Sequence, residues 1–118
     1  MHEFSIVQSL IELIEQYAQE NRAKKVTKVV VSLGILSGVE PHLLELAFNT
    51  FKEGTVAEDA LFVVELERLK IKCKECHAES EKDQLNILCP VCGSTDTQIT
   101  GGQDMLLKSL ELECEDET

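Results

Sequence analysis

Several features that mark other protein classes are scarce in this chain of 118 residues. It has no tryptophan and only 4% aromatic residues, whereas proteins that bind single-stranded nucleic acids need aromatic side chains on which bases stack. It has 11 basic residues against 22 acidic ones, and the net charge of −11 disfavours binding to nucleic acids and to anionic membrane surfaces. We therefore expect metal or protein partners, with no nucleic acid and no membrane.

Targeting patterns and membrane-spanning patterns are missing as well. No apolar run approaches the ~20 residues that a transmembrane helix needs, and the start Met-His-Glu-Phe-Ser has no basic region of the kind that opens a signal peptide. These absences predict a cytoplasmic protein, in which thiols stay reduced. The five cysteines are then expected to be metal ligands or free thiols, and Cys114 is the odd one.

What the chain does have is a helix-strand-helix-strand pattern. Apolar residues at helical spacing predict a first helix over residues 4–21, and dense β-branched residues predict a strand at 26–33. Glu40-Pro41 is typical of a helix start, and Gly54 is a candidate C-terminal cap. The predicted buried faces are Val7, Leu10, Ile11, Ile14, Tyr17 and Ala18 in the first helix, and Leu43, Leu44, Ala47, Phe48 and Phe51 in the second.

Two further strands are predicted, at 61–72 and 105–113, and a cysteine-rich segment separates them. Residues 73–100 have short cysteine spacings and few large apolar side chains, so they cannot form a conventional core. We therefore predict an α+β fold, in which residues 1–72 with 101–118 form a three-stranded sheet with two helices. Residues 73–100 form an inserted lobe like a zinc ribbon. The last eight residues, with five acids, are expected to be a solvated tail.

The strongest chemical signal is the array C-x2-C-x12-C-x2-C formed by Cys73, Cys76, Cys89 and Cys92. Two residues between cysteines let one tight turn direct both sulfurs at one ion, and two such turns complete a tetrahedron of thiolates. That closed geometry is typical of structural Zn(II) and leaves no coordination position for a substrate. We expect nearby lysines, Lys72, Lys74 and Lys82, to offset part of the negative charge.

Other uses of these cysteines fit less well. Cys73-Lys-Glu-Cys76-His77 also matches the attachment motif of c-type haem, but that interpretation ignores the second pair. Cys89-Pro-Val-Cys92-Gly93 resembles one knuckle of the iron-binding rubredoxins, whose pairs are much farther apart in sequence. A redox dithiol would need one pair at a helix start, which neither pair has. We expect His77 to lie beside the site or in solvent. That His77 replaces one of the cysteines as a zinc ligand is a minor hypothesis.

The start of the chain offers a second set of donors. The Met1 amine, the backbone nitrogen and imidazole of His2, and the backbone nitrogen of Glu3 could close consecutive chelate rings around one ion. A square plane of nitrogens suits Ni(II) or Cu(II) and suits Zn(II) poorly. The alternative from the residues alone is that a Met-His start is simply a frayed terminus.

The combination of these motifs resembles the HypA/HybF family of hydrogenase maturation factors. The similarity extends along the whole chain and includes the Met1-His2-Glu3 start, Val39-Glu40 before the second helix, Gly54-Thr-Val-Ala-Glu58, the two cysteine pairs and Leu107-Lys-Ser-Leu-Glu111. The resemblance implies a nickel metallochaperone with an α/β nickel lobe and a separate zinc lobe. It implies as partners a HypB-type GTPase and the large subunit of [NiFe]-hydrogenase, and it leaves a homodimer as an open alternative.

Carried over by position, the resemblance implies that His2 is the essential nickel ligand, with the Met1 amine and the Glu3 backbone beside it. Nickel is then the transported ion and zinc, on Cys73, Cys76, Cys89 and Cys92, the structural one. Glu40 matches an acidic position whose role is either a helix cap or a contact beyond the nickel ligands. Some relatives carry a histidine after the second cysteine pair, where this chain has Gly93-Ser94.

Two other function classes remain as alternatives. A zinc-ribbon module that binds protein or nucleic acid without a nickel role would share the cysteine array, although the net charge of −11 argues against nucleic acid. An enzyme is less well supported, because catalytic zinc keeps an open position and the sequence shows no nucleophile-base pair and no phosphate-binding loop. We therefore predict a protein that is not an enzyme.

Overall fold

The computed structural model describes residues 2–114, with only the backbone described for His2. The solvated tail predicted for the last eight residues is wrong in part, because residues 111–114 belong to the last strand; residues 115–118 lie outside the described residues, as does Met1. Two helices and six strands follow one another along these described residues. They are α1 (His2–Glu20), β1 (Ala23–Gly34), α2 (Pro41–Phe51), β2 (Leu61–Glu67), β3 (Leu69–Cys73), β4 (Glu79–Lys82), β5 (Thr97–Gly101) and β6 (Met105–Cys114).

The strands form two three-stranded sheets, with the orders β2-β1-β6 and β4-β3-β5. The α+β architecture is therefore confirmed, and the cysteine-rich segment contributes a sheet of its own. In the part of the chain that the structure describes, no helix has the length and apolar character needed to cross a membrane.

Packing divides the chain into two compact units. The first comprises residues up to Val31, Val39–Glu65 and the residues from Leu106 onward, and the second comprises Ser32–Gly38 and Leu66–Met105. The assignment of nickel to residues 1–72 with 101–118 and of zinc to residues 73–100 stays a prediction.

The first unit has an apolar core, in which α1 packs against α2. Phe48 is fully buried and stacks on Phe62 with ring centroids 4.2 Å apart, and Phe4 meets Phe51 edge-on at 5.5 Å. Dense β-branched residues make β1 a buried strand, as its sequence predicts. The other buried residues of this core are Val7, Leu10, Ile11, Ile14, Ala18, Val26, Val29, Val30, Val31, Leu44, Ala47, Ala57 and Ala60.

Glu40 and Pro41 start α2 as the sequence predicts. Both carboxylate oxygens of Glu40 accept backbone hydrogen bonds, from His42 at 3.1 Å and from Leu43 at 2.8 Å. Pro41 occupies a first-turn position, where its missing N–H costs nothing. Of the two roles left open for Glu40, the structure shows the helix cap.

Three details of the predicted elements are wrong. Tyr17 and Leu43 were expected in the buried faces but are 42% and 49% exposed, because each lies at the border of an apolar stripe that packs on one side only. Gly54 does not cap α2, which ends at Phe51 with Lys52 as its cap; Gly54 adopts its φ of +77° in the turn that follows.

The single strand predicted at 61–72 is wrong as well. The structure has two strands there, β2 and β3, which Arg68 separates. The break arises because the two halves pair with different neighbours: β2 pairs with β1, whereas β3 lies between β4 and β5. The guanidinium of Arg68 turns towards Asp83, to which its Nε donates a hydrogen bond of 2.8 Å. The apolar pattern alone does not reveal this change of partner.

The second unit is built around β3, which is antiparallel to both of its neighbours. Its side chains alternate strictly, with Leu69, Ile71 and Cys73 buried and the two lysines between them exposed. The strand therefore runs from a small apolar centre directly into the first cysteine.

Two glycines allow a close crossing of the backbone in this unit. The amide of Gly34 donates to the carbonyl of Asp104 at 2.8 Å, and that of Leu36 donates to Gly102 at 2.7 Å. A Cβ atom at Gly34 would lie 2.3 Å from the carbonyl carbon and oxygen of Gly102. No larger residue fits at Gly34 unless the backbone moves.

Candidate metal centre

Two turns with the same backbone pattern carry the four cysteines. The N–H of Cys73 donates to the carbonyl of Ala78 at 2.9 Å, and the N–H of Cys89 donates to that of Ser94 at 2.9 Å. The residue after the second cysteine of each pair has a left-handed backbone, at His77 with φ 62° and at Gly93 with φ 77°. Each C-x2-C segment is thus a tight knuckle, as the spacing predicts.

The knuckles bring all four sulfurs into one cluster. The sulfur atoms of Cys73, Cys76, Cys89 and Cys92 all lie within 4.8 Å of one another. Cys73 Sγ is 3.6 Å from Cys92 Sγ, and Cys76 Sγ is 3.6 Å from Cys89 Sγ. A regular tetrahedron with Zn–S bonds of about 2.3 Å has edges of about 3.8 Å. The donor set and its spacing therefore fit a zinc ion.

Backbone amides favour the thiolate form of the first cysteine in each knuckle. The N–H groups of Cys92 and Val91 donate towards Cys89 and lower its pKa to about 6. The N–H of Cys76, 3.4 Å from Cys73 Sγ, likewise lowers the pKa of Cys73. Because metals bind thiolates and not thiols, these amides prepare two of the four ligands.

The second cysteine of each knuckle has the opposite tendency. The backbone N–H of Ser94 lowers the pKa of Cys92, but the adjacent Cys73 sulfur and burial outweigh it and raise this pKa to about 12. The pKa of Cys76 is raised too, since its hydrogen bond from Ala78 is outweighed by burial and by the neighbouring sulfurs. A cation at the centre of the cluster would remove this repulsion and displace the protons.

Lys82 holds the loop that leads into the second knuckle. Its ammonium group donates to the side-chain oxygen of Asn86 and, at 2.8 Å, to the carbonyl of Leu88, the residue before Cys89. Thr97 adds a hydrogen bond of 2.7 Å to the carbonyl of Ile87. The sequence suggested Lys82 only as a nearby charge, and no spacing rule identifies its partners.

His77 is exposed and does not belong to the sulfur cluster. Its left-handed backbone is an uncommon conformation for a residue with a Cβ atom, and the matching position of the other knuckle is a glycine. The position of His77 is therefore set by the turn.

The amino-terminal candidates lie at the start of α1, which begins at His2. The carboxylate of Glu3 accepts a hydrogen bond of 3.4 Å from the backbone N–H of Glu40, the residue that caps α2. The side chain of Glu3 is therefore directed towards the start of α2. Met1 lies outside the described residues, and the nickel-ligand set Met1, His2 and Glu3 stays a prediction.

Comparison with known proteins gives a consistent result. Residues 1–112 match the protein family described as "Hydrogenase/urease nickel incorporation, metallochaperone, hypA". The hydrogenase maturation factor HypA of Aquifex aeolicus is 74% identical over 113 residues, which cover 96% of this chain and 98% of the relative. The HypA of Wolinella succinogenes is 48% identical over 118 residues and 99% of both chains.

Two solved structures are similar over nearly the whole chain. The solution structure of the nickel metallochaperone HypA from Helicobacter pylori superposes with a TM-score of 0.70 at 37% identity, covering 96% of this chain and 98% of the other. A second solution structure of a HypA protein gives a TM-score of 0.74 at 38% identity, covering 98% of both chains.

Proposed function

Because the chain belongs to the HypA family, we propose that it is a nickel metallochaperone of the cytoplasm that takes part in the maturation of [NiFe]-hydrogenase. In this proposal Ni(II) binds at the amino terminus and passes to the large subunit of the enzyme, with a HypB-type GTPase as partner. The observation that carries the proposal is the family match over residues 1–112, a span that holds both the Met1-His2-Glu3 start and the four cysteines.

The position of His2 at the start of α1 supports a nickel role. The first N–H groups of an α-helix come before the intrahelical hydrogen-bond ladder begins. Amide nitrogens of His2 and Glu3 can therefore become metal donors without breaking a turn of helix.

The contact between Glu3 and Glu40 supports the same donor set. Because the Glu3 carboxylate is held by the backbone of Glu40, the backbone nitrogen of Glu3 is the better candidate for a nickel ligand. The hydrogen bond also connects the proposed nickel site to the capped start of α2.

The four cysteines would hold zinc, which supplies a crosslink between the two knuckles when bound. The backbone lowers the pKa of Cys73 and Cys89 and so favours their thiolate forms, whereas the raised pKa of Cys76 and Cys92 means that these two have to lose protons when a metal binds. This closed cage suits an ion that stays. An open site at a chain terminus suits an ion that must be surrendered to a partner, because a competing ligand can reach it without unfolding the protein.

The test is nickel titration of untagged, zinc-loaded protein by calorimetry and by absorption spectroscopy. We expect His2→Ala to abolish nickel binding and its planar-site absorption band, with zinc content unchanged. His42→Ala, which removes an exposed histidine from the start of α2, is the matched control and should bind nickel normally. An extra residue before Met1 should weaken binding as severely as His2→Ala. Nickel binding that is the same in all of these proteins would refute the proposed site.

A further inference from the structure

The two cysteine knuckles are held in different ways. The first is the turn between the antiparallel strands β3 and β4, in which Leu69 lies opposite Lys82, and the bond from the N–H of Cys73 to the carbonyl of Ala78 closes it. The second knuckle follows a loop, residues 83–88, that belongs to no helix and no strand. A sheet therefore holds the first knuckle, whereas the approach to the second needs other contacts.

Apolar burial does not fix the 83–88 loop. Its three large apolar side chains, Leu85, Ile87 and Leu88, are 65%, 43% and 45% exposed. Side chains that stay this exposed remove little apolar surface from water and so contribute little to holding the backbone in one conformation. Hydrogen bonds are then the main constraint on the path of the chain into Cys89.

Lys82, the last residue of β4, supplies three of these hydrogen bonds. Its ammonium group donates to the carbonyl of Asn86 at 3.2 Å, to the side-chain oxygen of Asn86, and to the carbonyl of Leu88 at 2.8 Å. An ammonium group has three N–H donors, so these three oxygens use all of them. The side-chain oxygen of Asn86 also accepts from the N–H of Leu88 at 3.2 Å. The backbone before Cys89 is thus attached to one cation that the sheet holds in place.

The attachment through Lys82 is stronger than the other one between sheet and loop. That other attachment is the hydrogen bond of 2.7 Å from the hydroxyl of Thr97, on β5, to the carbonyl of Ile87. Both of its partners are neutral, whereas the donor of Lys82 is charged, and a charged donor makes a hydrogen bond roughly twice as strong. Loss of the ammonium group should therefore free the loop more than loss of the hydroxyl.

We propose that Lys82 is a positioning residue for the zinc site: its ammonium group holds the backbone before Cys89 so that the second knuckle is formed before the ion binds. The inference rests on the zinc role of the four cysteines in the proposed function. Without Lys82, Cys89 and Cys92 follow a loop that burial does not fix, whereas the first knuckle stays on its hairpin. The second knuckle is therefore the one that opens first when zinc is lost.

The first test is competition for zinc with a chromophoric chelator. Lys82→Met keeps the length of the side chain but removes its donors, and we expect zinc affinity to fall about tenfold and transfer to the chelator to become faster. Lys74→Met is the matched control, because Lys74 is an exposed lysine inside the first knuckle and the change of charge is the same. It should bind zinc like the unmodified chain. Lys82→Arg should restore part of the affinity, since a planar guanidinium keeps a charged donor but cannot direct three of them at the same oxygens.

The second test determines which knuckle opens. Zinc-loaded protein is treated briefly with iodoacetamide, and mass spectrometry of molecules modified once gives the ratio of Cys92 to Cys76 modification, divided by the same ratio in urea. Both cysteines are exposed and each knuckle has one of them. In the unmodified protein with chelator present, the normalised ratio should exceed one, a result that needs no variant to fold. Lys82→Met should raise it about tenfold and Lys74→Met should leave it unchanged.

Three results would overturn the role of Lys82. One is an equal loss of zinc affinity in Lys82→Met and Lys74→Met, because net charge alone would then explain it. Another is a normalised ratio of one or less in the unmodified protein, since the second knuckle would not open first. The third is zinc binding that Lys82→Met leaves unchanged, which removes this inference and keeps the zinc site. An unmodified protein that binds no zinc would instead refute the proposed zinc site together with this inference.

Discussion

The first unit of the chain buries aliphatic and aromatic side chains from two helices and a sheet, whereas the second buries only Leu33, Leu69 and Ile71 beside Cys73 and Cys89 among its described apolar residues. Apolar burial contributes roughly 1.5–3 kcal/mol for each large side chain and depends little on direction. A thiolate cage contributes on the order of 10 kcal/mol, but only when four sulfurs meet at one point. A short segment can therefore fold with few apolar residues, provided that its turns are exact and its metal is present.

The largest expected effect comes from loss of one cysteine ligand, which should unfold the second unit and leave the first unit folded. Cys89→Ser removes a buried ligand, and we expect zinc affinity to fall by several orders of magnitude, because the four thiolates together bind zinc with on the order of 10 kcal/mol and one of them is lost. The measurements are zinc content after dialysis and NMR peak positions. Cross-peaks of residues 66–105 should collapse while those of α1 and α2 persist.

Cys114→Ser is the control for this variant, since Cys114 is exposed and lies outside the sulfur cluster. It should keep full zinc content and native spectra. If Cys89→Ser retains zinc as tightly as Cys114→Ser, the cage does not hold the second unit.

A substitution in the core of the first unit should destabilise that unit without changing the zinc content of the second. Phe48→Ala opens a cavity under the ring of Phe62, and we expect a loss of about 3–5 kcal/mol in the free energy of unfolding. Zinc content should stay unchanged. Leu43→Ala, on the same helix but 49% exposed, should cost less than about 0.5 kcal/mol. Chemical denaturation followed by helical circular dichroism measures both, and loss of zinc from Phe48→Ala would show that the two units are not stabilised separately.

The smallest expected effects are changes in zinc affinity after substitution of the left-handed residue in each knuckle. Gly93 has φ 77° and nothing within 4 Å of an added Cβ atom, so Gly93→Ala costs only backbone strain, about 1 kcal/mol. Zinc affinity should fall about fivefold. His77→Gly relieves the same strain in the first knuckle, but glycine also raises the conformational entropy of the unfolded chain, which offsets part of the gain. We therefore expect zinc affinity to rise only about twofold.

Competition with a chromophoric chelator measures these affinities. His77→Ala removes the imidazole but keeps the strain, and it should bind zinc like the unmodified chain. A fall in affinity for both His77→Gly and His77→Ala would indicate that the imidazole itself contributes to the site.

Local chemistry made most of the fold and the cage predictable. The helical spacing of apolar residues, the Glu40-Pro41 start and the density of β-branched residues in β1 each act within a few residues, and the structure confirms them. The two C-x2-C segments likewise need only a tight turn. These features depend on neighbours in sequence, which a sequence displays directly.

Features that depend on distant neighbours were not predictable. The break at Arg68 arises because β2 and β3 pair with different strands, and the crossing at Gly34 depends on a segment near Gly102. The hydrogen bond from Lys82 to the carbonyl of Leu88, just before Cys89, likewise depends on how that loop folds back. The nickel-ligand set Met1, His2 and Glu3 stays a prediction that rests on the resemblance, since a Met-His start alone has no structural signature.

Lys70 and Gly101 are Cα partners in the β3-β5 ladder, so the two ends of the metal-binding segment lie next to each other. Such a segment can be treated as an insertion between two adjacent strands. It could be exchanged for a shorter hairpin, or transplanted between adjacent strands of an unrelated host, with no change in the distance that the host backbone has to bridge.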